Sequence, residues 1–158
     1  MNRETNDNGI SPETISWLER MLASERTQLA WLRKREDRIE RDGPKIATTI
    51  AECEAVREYG AWHAMSLARF DIECQAESLQ IWGDEKEAIA ILSLQHAIED
   101  RIDIHRQEEG RLRRLTPKET KHIKMYNTWP ASYDCEGAIE GKHELIAELE
   151  NTLAKIKE

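Results

Sequence analysis

A heptad near the N-terminus limits the folds open to this chain more than any other feature. Ile15, Leu18, Leu22, Glu25, Leu29, Leu32, Glu36 and Ile39 step alternately by three and four residues, and six of the eight are apolar. On an α-helix these positions form one stripe, and such a stripe is stable only when another helix covers it. The first helix is expected to begin at Ser11-Pro12, a capping hydroxyl followed by a proline suited to the first helical position. It should run to about Asp42, before Gly43-Pro44 ends it. Such a rod is about 45 Å long. Trp17, Met21 and Trp31 flank the stripe and widen it, so at least two helices are expected to pack against this one.

Punctuation divides the rest. Gly83-Asp84 and Thr116-Pro117 mark further joints. The stretch from Lys45 to about Trp82 is rich in small residues, including Ala47, Ala51, Ala55, Ala61, Ala64 and Ala68, which lets neighbouring helices approach closely. It reads as the central helix, with Gly60 marking either a tight crossing or a break. Ile46, Ile50, Cys53, Leu67, Cys74 and Ile81 give it an approximate heptad register. From Glu85 to about Leu115 a third helix carries Ile91, Gln95, Ile98, Ile102, His105, Glu109 and Leu112 at heptad spacing. Its first half, Ala88 to Leu92, is apolar nearly all round and is expected to be deeply buried, whereas Gly110 weakens the far end. Thr116-Pro117-Lys118-Glu119 is a capping box that should open a short helix to about Asn127. A loop and a final helix from about Glu136 to Lys157 follow. The final helix carries Ile139, Leu145, Ile146, Leu149, Leu153 and Ile156 on one face.

The expected fold class is therefore all-α: an up-down-up bundle of three long helices with coiled-coil character, plus a short helix and a C-terminal helix. Residues 1–10 are expected to be a disordered tail and 11–115 the bundle. Residues 116–158 are expected to pack on the bundle or on a partner subunit. The polar heptad sites and the thin core near Gly110 suggest that the chain completes its core as a homodimer or larger oligomer.

Composition narrows the function classes. The 158 residues carry 34% charged groups against a usual share of about a quarter, as long exposed helix faces require. A net charge of −8 opposes non-specific binding to nucleic acid. Three cysteines without a CxxC, and a polar N-terminus without an apolar secretory segment, lead to the expectation of a reducing, cytoplasmic location. That would be a host cytoplasm if the chain is phage-encoded. No apolar run is long enough for a membrane span. The five tryptophans suit helix seams, and most are expected in the core.

Few residues point to chemistry. Glu119-Thr-Lys-His122 and Glu140-Gly-Lys-His143 repeat the Glu-x-x-His spacing of di-metal carboxylate bundles, but with so many Glu in the chain that spacing arises by chance. His63, His96 and His105 have no Cys or His at ligand spacing and read as satisfied or exposed. Cys53 and Cys74 read as buried small hydrophobes, and Cys135 has acidic neighbours that disfavour its thiolate. No catalytic residues, metal site or cofactor are expected. The basic run Arg111, Arg113, Arg114, Lys118, Lys121 and Lys124 straddles an expected helix N-terminus and could meet an anion, a partner or the acidic C-terminal helix. Trp129 and Tyr133 in the loop are interface candidates.

The expected function is a non-enzymatic protein–protein interaction module: an adaptor, assembly factor or inhibitor, of the kind a phage or mobile element carries as an accessory protein. Its partner would be another protein, with self-association as a dimer expected first. The alternative is a binder of nucleic acid or a nucleotide through the Arg111–Lys124 patch. A di-metal helical enzyme ranks third.

Overall fold

Ser11 and Pro12 start the first helix as their chemistry dictates. The Ser11 hydroxyl accepts the Thr14 N–H at 3.4 Å. The computed structural model describes residues 8–42, 48–115, 119, 122–123 and 130–158. It is an all-α bundle of four helices: α1 (Pro12–Asp42), α2 (Ile50–Trp82), α3 (Glu85–Arg113) and α4 (Pro130–Lys157). Two two-residue strands, β1 (Thr48–Thr49) and β2 (His122–Ile123), pair antiparallel with Thr48 opposite Ile123. The backbone at His122–Ile123 is thus extended, within the stretch where a short helix was expected.

Caps place the helix ends. Thr49 and Glu52 form a reciprocal capping box, which starts α2 later than the small-residue pattern suggested. Asp84 caps α3 by accepting from the Lys86 N–H at 2.7 Å. The helix α4 begins at Pro130, earlier than expected, which places Tyr133 in its first turns. At the other end of the chain, Asn8 donates to the carbonyls of Ile156 at 2.9 Å and Glu158 at 2.6 Å. Ile10 is buried beside this clasp. Residues 8–10 are therefore packed, a correction to the expected ten-residue disordered tail; residues 1–7 lie outside the described ones.

The helix α4 occupies the middle of the bundle. It packs against α1 on one side and α2 on the other, touches α3, and α2 also packs along α3. Its Leu145 and Leu149 are fully buried among Leu18 of α1, Met65 and Ile72 of α2, and Ile91 and Ile98 of α3. Each such side chain contributes about 1.5–3 kcal/mol through removal from water. The α1 stripe from Ile15 to Glu36, and the α3 and α4 stripes, lie where their periods place them. The α2 register does not. Ile50, Leu67, Cys74 and Ile81 are exposed, and the buried face is instead built from Ala51, Ala55, Ala61, Ala68 and Ala76 with Met65 and Ile72.

The small residues explain this. At Gly60 α2 runs unbroken against α4 so closely that a Cβ there would overlap the Asp134 carbonyl oxygen. Gly137 and Gly141, one turn apart on α4, meet the Arg57 and Ala61 carbonyls in the same way. Large side chains cannot enter that contact, so they turn outward. Two further expectations are corrected for related reasons. Ile89 is exposed, because α3 has neighbours on one side only, and of the four described tryptophans only Trp17 and Trp62 pack, partly buried, against the core. Trp31 is 53% and Trp82 is 83% exposed. No helix of the described residues is long and apolar enough to cross a membrane.

Candidate functional site

The helices α1 and α2 both lean on α4 but hardly touch each other among the described residues. A groove lies between them. Two clefts make it up, of about 500 and about 340 Å³, and both include Gln28 and Lys142 in their lining. The α1 wall is Trp17, Met21, Ser24, Gln28, Trp31 and Arg35, a second heptad beside the buried one. The α2 wall is Gly60, Ala64, Leu67, Asp71 and Cys74, also at heptad spacing. Leu67 is 73% exposed, an unusual state for a leucine flanking a cleft.

The floor is polar. Lys142 of α4 donates to Glu25 at 2.6 Å and to Gln28 at 2.9 Å. Both ions of the Lys142–Glu25 pair are buried. Glu25, a polar interruption of the α1 heptad, therefore fixes α1 on α4. Farther along, Asp134 lines the floor, and burial raises its carboxyl above the usual range against the pull of His63 and Arg35. Arg35 stacks on Trp31 at 5.6 Å, and Arg20 donates to Ser16 at 2.9 Å. The α1 wall is thus basic, and Asp71 and Asp134 make the opposite wall and floor acidic.

A second polar constellation crosses α2, α3 and α4 below the apolar core. The buried His105 ring meets Glu58 of α2 through Nδ1 and Glu144 of α4 through Nε2, the latter at 2.6 Å. The Glu144 bond raises the imidazole to about 9, against burial, with Glu58 adding to it. Burial alone would raise Glu144, but His105 and Arg101 outweigh it and hold its carboxyl below the usual range. Arg101 also bridges Glu144 to Glu148. Beside this layer Trp62 donates to Glu109 at 2.7 Å and Arg106 stacks over its ring. Among the described residues, His105, Glu140 and Glu144 could hold a metal: their ligand atoms lie within 4.8 Å of one another.

The residues singled out from sequence are dispersed. Arg111 is paired with Glu108 and Arg113 with Glu109, so these two cations meet acids of their own helix rather than the C-terminal helix. Arg114 caps α3 and is exposed. The side chains of Lys118, Lys121, Lys124 and Trp129 lie outside the described residues. Tyr133 is half-buried and hydrogen-bonded to Cys53, and burial pushes both groups up in pKa. The Glu140–His143 unit does not act as one pair, because Glu140 turns toward His105 while His143 meets Arg33 of α1 at 3.0 Å. Cys74, expected to be buried, is exposed in the groove, whereas Cys53 and Cys135 are buried.

The reading from sequence did not find the groove or the His105 layer. Trp17, Met21 and Trp31 were a signal for the first, since they asked for a second helix against α1. The Glu partners of His105 lie 47 and 39 residues away, beyond any local pattern. No protein-family model, curated protein or solved structure matches the chain.

Proposed function

We propose that this protein is a self-associating interaction module whose α1–α2 groove is closed by a second copy of the chain. The observation that carries this reading is the mismatch between α1 and its surroundings. Two stripes run along that helix; the first is buried, whereas of the second Trp17 and Met21 are only partly buried against the core and Trp31 is exposed. The second borders the groove and faces Leu67 across it. Charge favours a like partner. A two-fold axis along the groove sets α1 of one copy against α2 of the other, and so brings Arg20 of one copy toward Asp71 of the other. A self-complementary patch of this kind suits a closed dimer. Adaptors, assembly factors and inhibitors all use such a surface, and the phosphate-ligand reading draws less support because Arg111 and Arg113 are engaged by glutamates.

Sedimentation equilibrium tests the proposal. The native chain should sediment as a dimer, and Leu67→Asp should shift it to monomer while helical circular dichroism is retained. A native chain that stays monomeric at about 100 µM, where even weak specific pairs associate, would contradict it.

A further inference from the structure

We propose that His105, Glu140 and Glu144 form a binding site for one divalent transition-metal ion of the zinc class. Three observations lead there. The first is convergence: α3 supplies an imidazole, and α4 supplies two carboxylates one turn apart, with all three ligand atoms within 4.8 Å. The second is how the ligands are held from behind. Glu58 engages Nδ1 of His105, which aims Nε2 at the α4 carboxylates. Arg101 takes Oε1 of Glu144 and leaves Oε2 facing the ring. A carboxylate behind a ligating histidine is the usual device that fixes its ring and tautomer. The third is charge. Glu58, Glu140, Glu144 and Glu148 stand against Arg101 and His105, a surplus of two negative charges at the edge of the core.

Glu140 is the carboxylate of this set that has no hydrogen bond or ion pair among the described residues, and it is exposed. It gives an ion a way in from solvent. Ligand atoms about 2.0–2.2 Å from zinc sit farther apart than Nε2 and Oε2 do here, so the pair opens slightly and the free Glu140 swings inward. The ion replaces the proton shared between His105 and Glu144, and that proton leaves to solvent. One nitrogen and two carboxylates leave room for water, and this donor set suits zinc, cobalt or manganese.

The test uses the full, untagged chain after treatment with a chelator. Zinc is titrated by calorimetry, and cobalt is followed by its visible absorption. The site predicts one ion per chain with a dissociation constant of about 10 µM or tighter. Glu140→Gln should weaken binding at least about tenfold, and His105→Gln should do the same or more. Because Glu140 is exposed and has no partner among the described residues, Glu140→Gln leaves the metal-free melting temperature unchanged, so its loss of binding is not a loss of fold. His143→Gln should leave the affinity unchanged. The proposal is overturned by an absence of stoichiometric binding, which would leave a proton-bridged ion network only. Binding that survives both site substitutions, or that follows His143, overturns it equally.

Discussion

His105 and Lys142 are the two residues on which the polar interior depends, and they act differently. Without a bound ion, His105 joins three helices only while it carries its proton. In chelator-treated protein its pKa stands at about 9 in the fold against an ordinary 6.5. A raised pKa means the stabilisation is complete below the unfolded value and is lost as pH rises through the folded one. Urea midpoints measured from about pH 6 to about pH 10 should therefore fall on the alkaline side, and His105→Gln should flatten that fall. A native midpoint independent of pH in this window would contradict the bridge. Lys142 is a buried partner to Glu25. Lys142→Ala leaves Glu25 buried without its cation, and should cost about 3–5 kcal/mol in chemical denaturation. The double substitution Glu25→Leu with Lys142→Met should recover most of that loss, because two apolar groups need no pairing.

At the scale of elements, the bundle rests on the crossing of α2 and α4. Gly137→Ala and Gly141→Ala each set a Cβ into a backbone carbonyl of α2, where no side chain can yield. Both should lower the melting temperature sharply or prevent folding. Gly110→Ala is the opposite case. The one atom a Cβ there meets within 4 Å is the Arg114 guanidinium at 3.6 Å, so the substitution should stabilise α3 by about 0.5–1 kcal/mol. A rise in stability at Gly137 or Gly141 would undo this account of the crossing. The same contrast explains what could be read from sequence. Large aliphatics at heptad spacing located the buried faces of α1, α3 and α4, because a big side chain must be covered wherever it falls. In α2 the crossing is made by alanine and glycine, which carry little hydrophobic contrast, so Leu67 and Ile81 drew the register onto the wrong face. The thin core near Gly110 was legible: there Ala51, Ala55 and Leu112 form a separate small cluster beyond the His105 layer. The layer itself was not legible, since its contacts are made by three helices distant in sequence.

For the whole molecule, four helices leave one slot open. The helix α1 has 31 residues and its main helical neighbour is α4, so the exposed Trp31 and Arg35 and the partly buried Trp17 and Met21 border the groove. A second copy would cover Trp31 and Leu67 and match the basic wall to the acidic one. Trp31→Ala should then weaken the dimer at least tenfold, roughly 1.4 kcal/mol, without changing the helical content of the subunit. Cys74 offers the most direct test, because it lies exposed in the groove while Cys53 and Cys135 are buried. The measurement is the alkylation rate of Cys74, followed by peptide mass spectrometry across a dilution series of the native protein. Rapid labelling in dilute solution and strong protection as concentration rises is the predicted result, with Cys53 and Cys135 slow throughout. A Cys74 rate that does not change with concentration would contradict the claim that a second copy closes the groove.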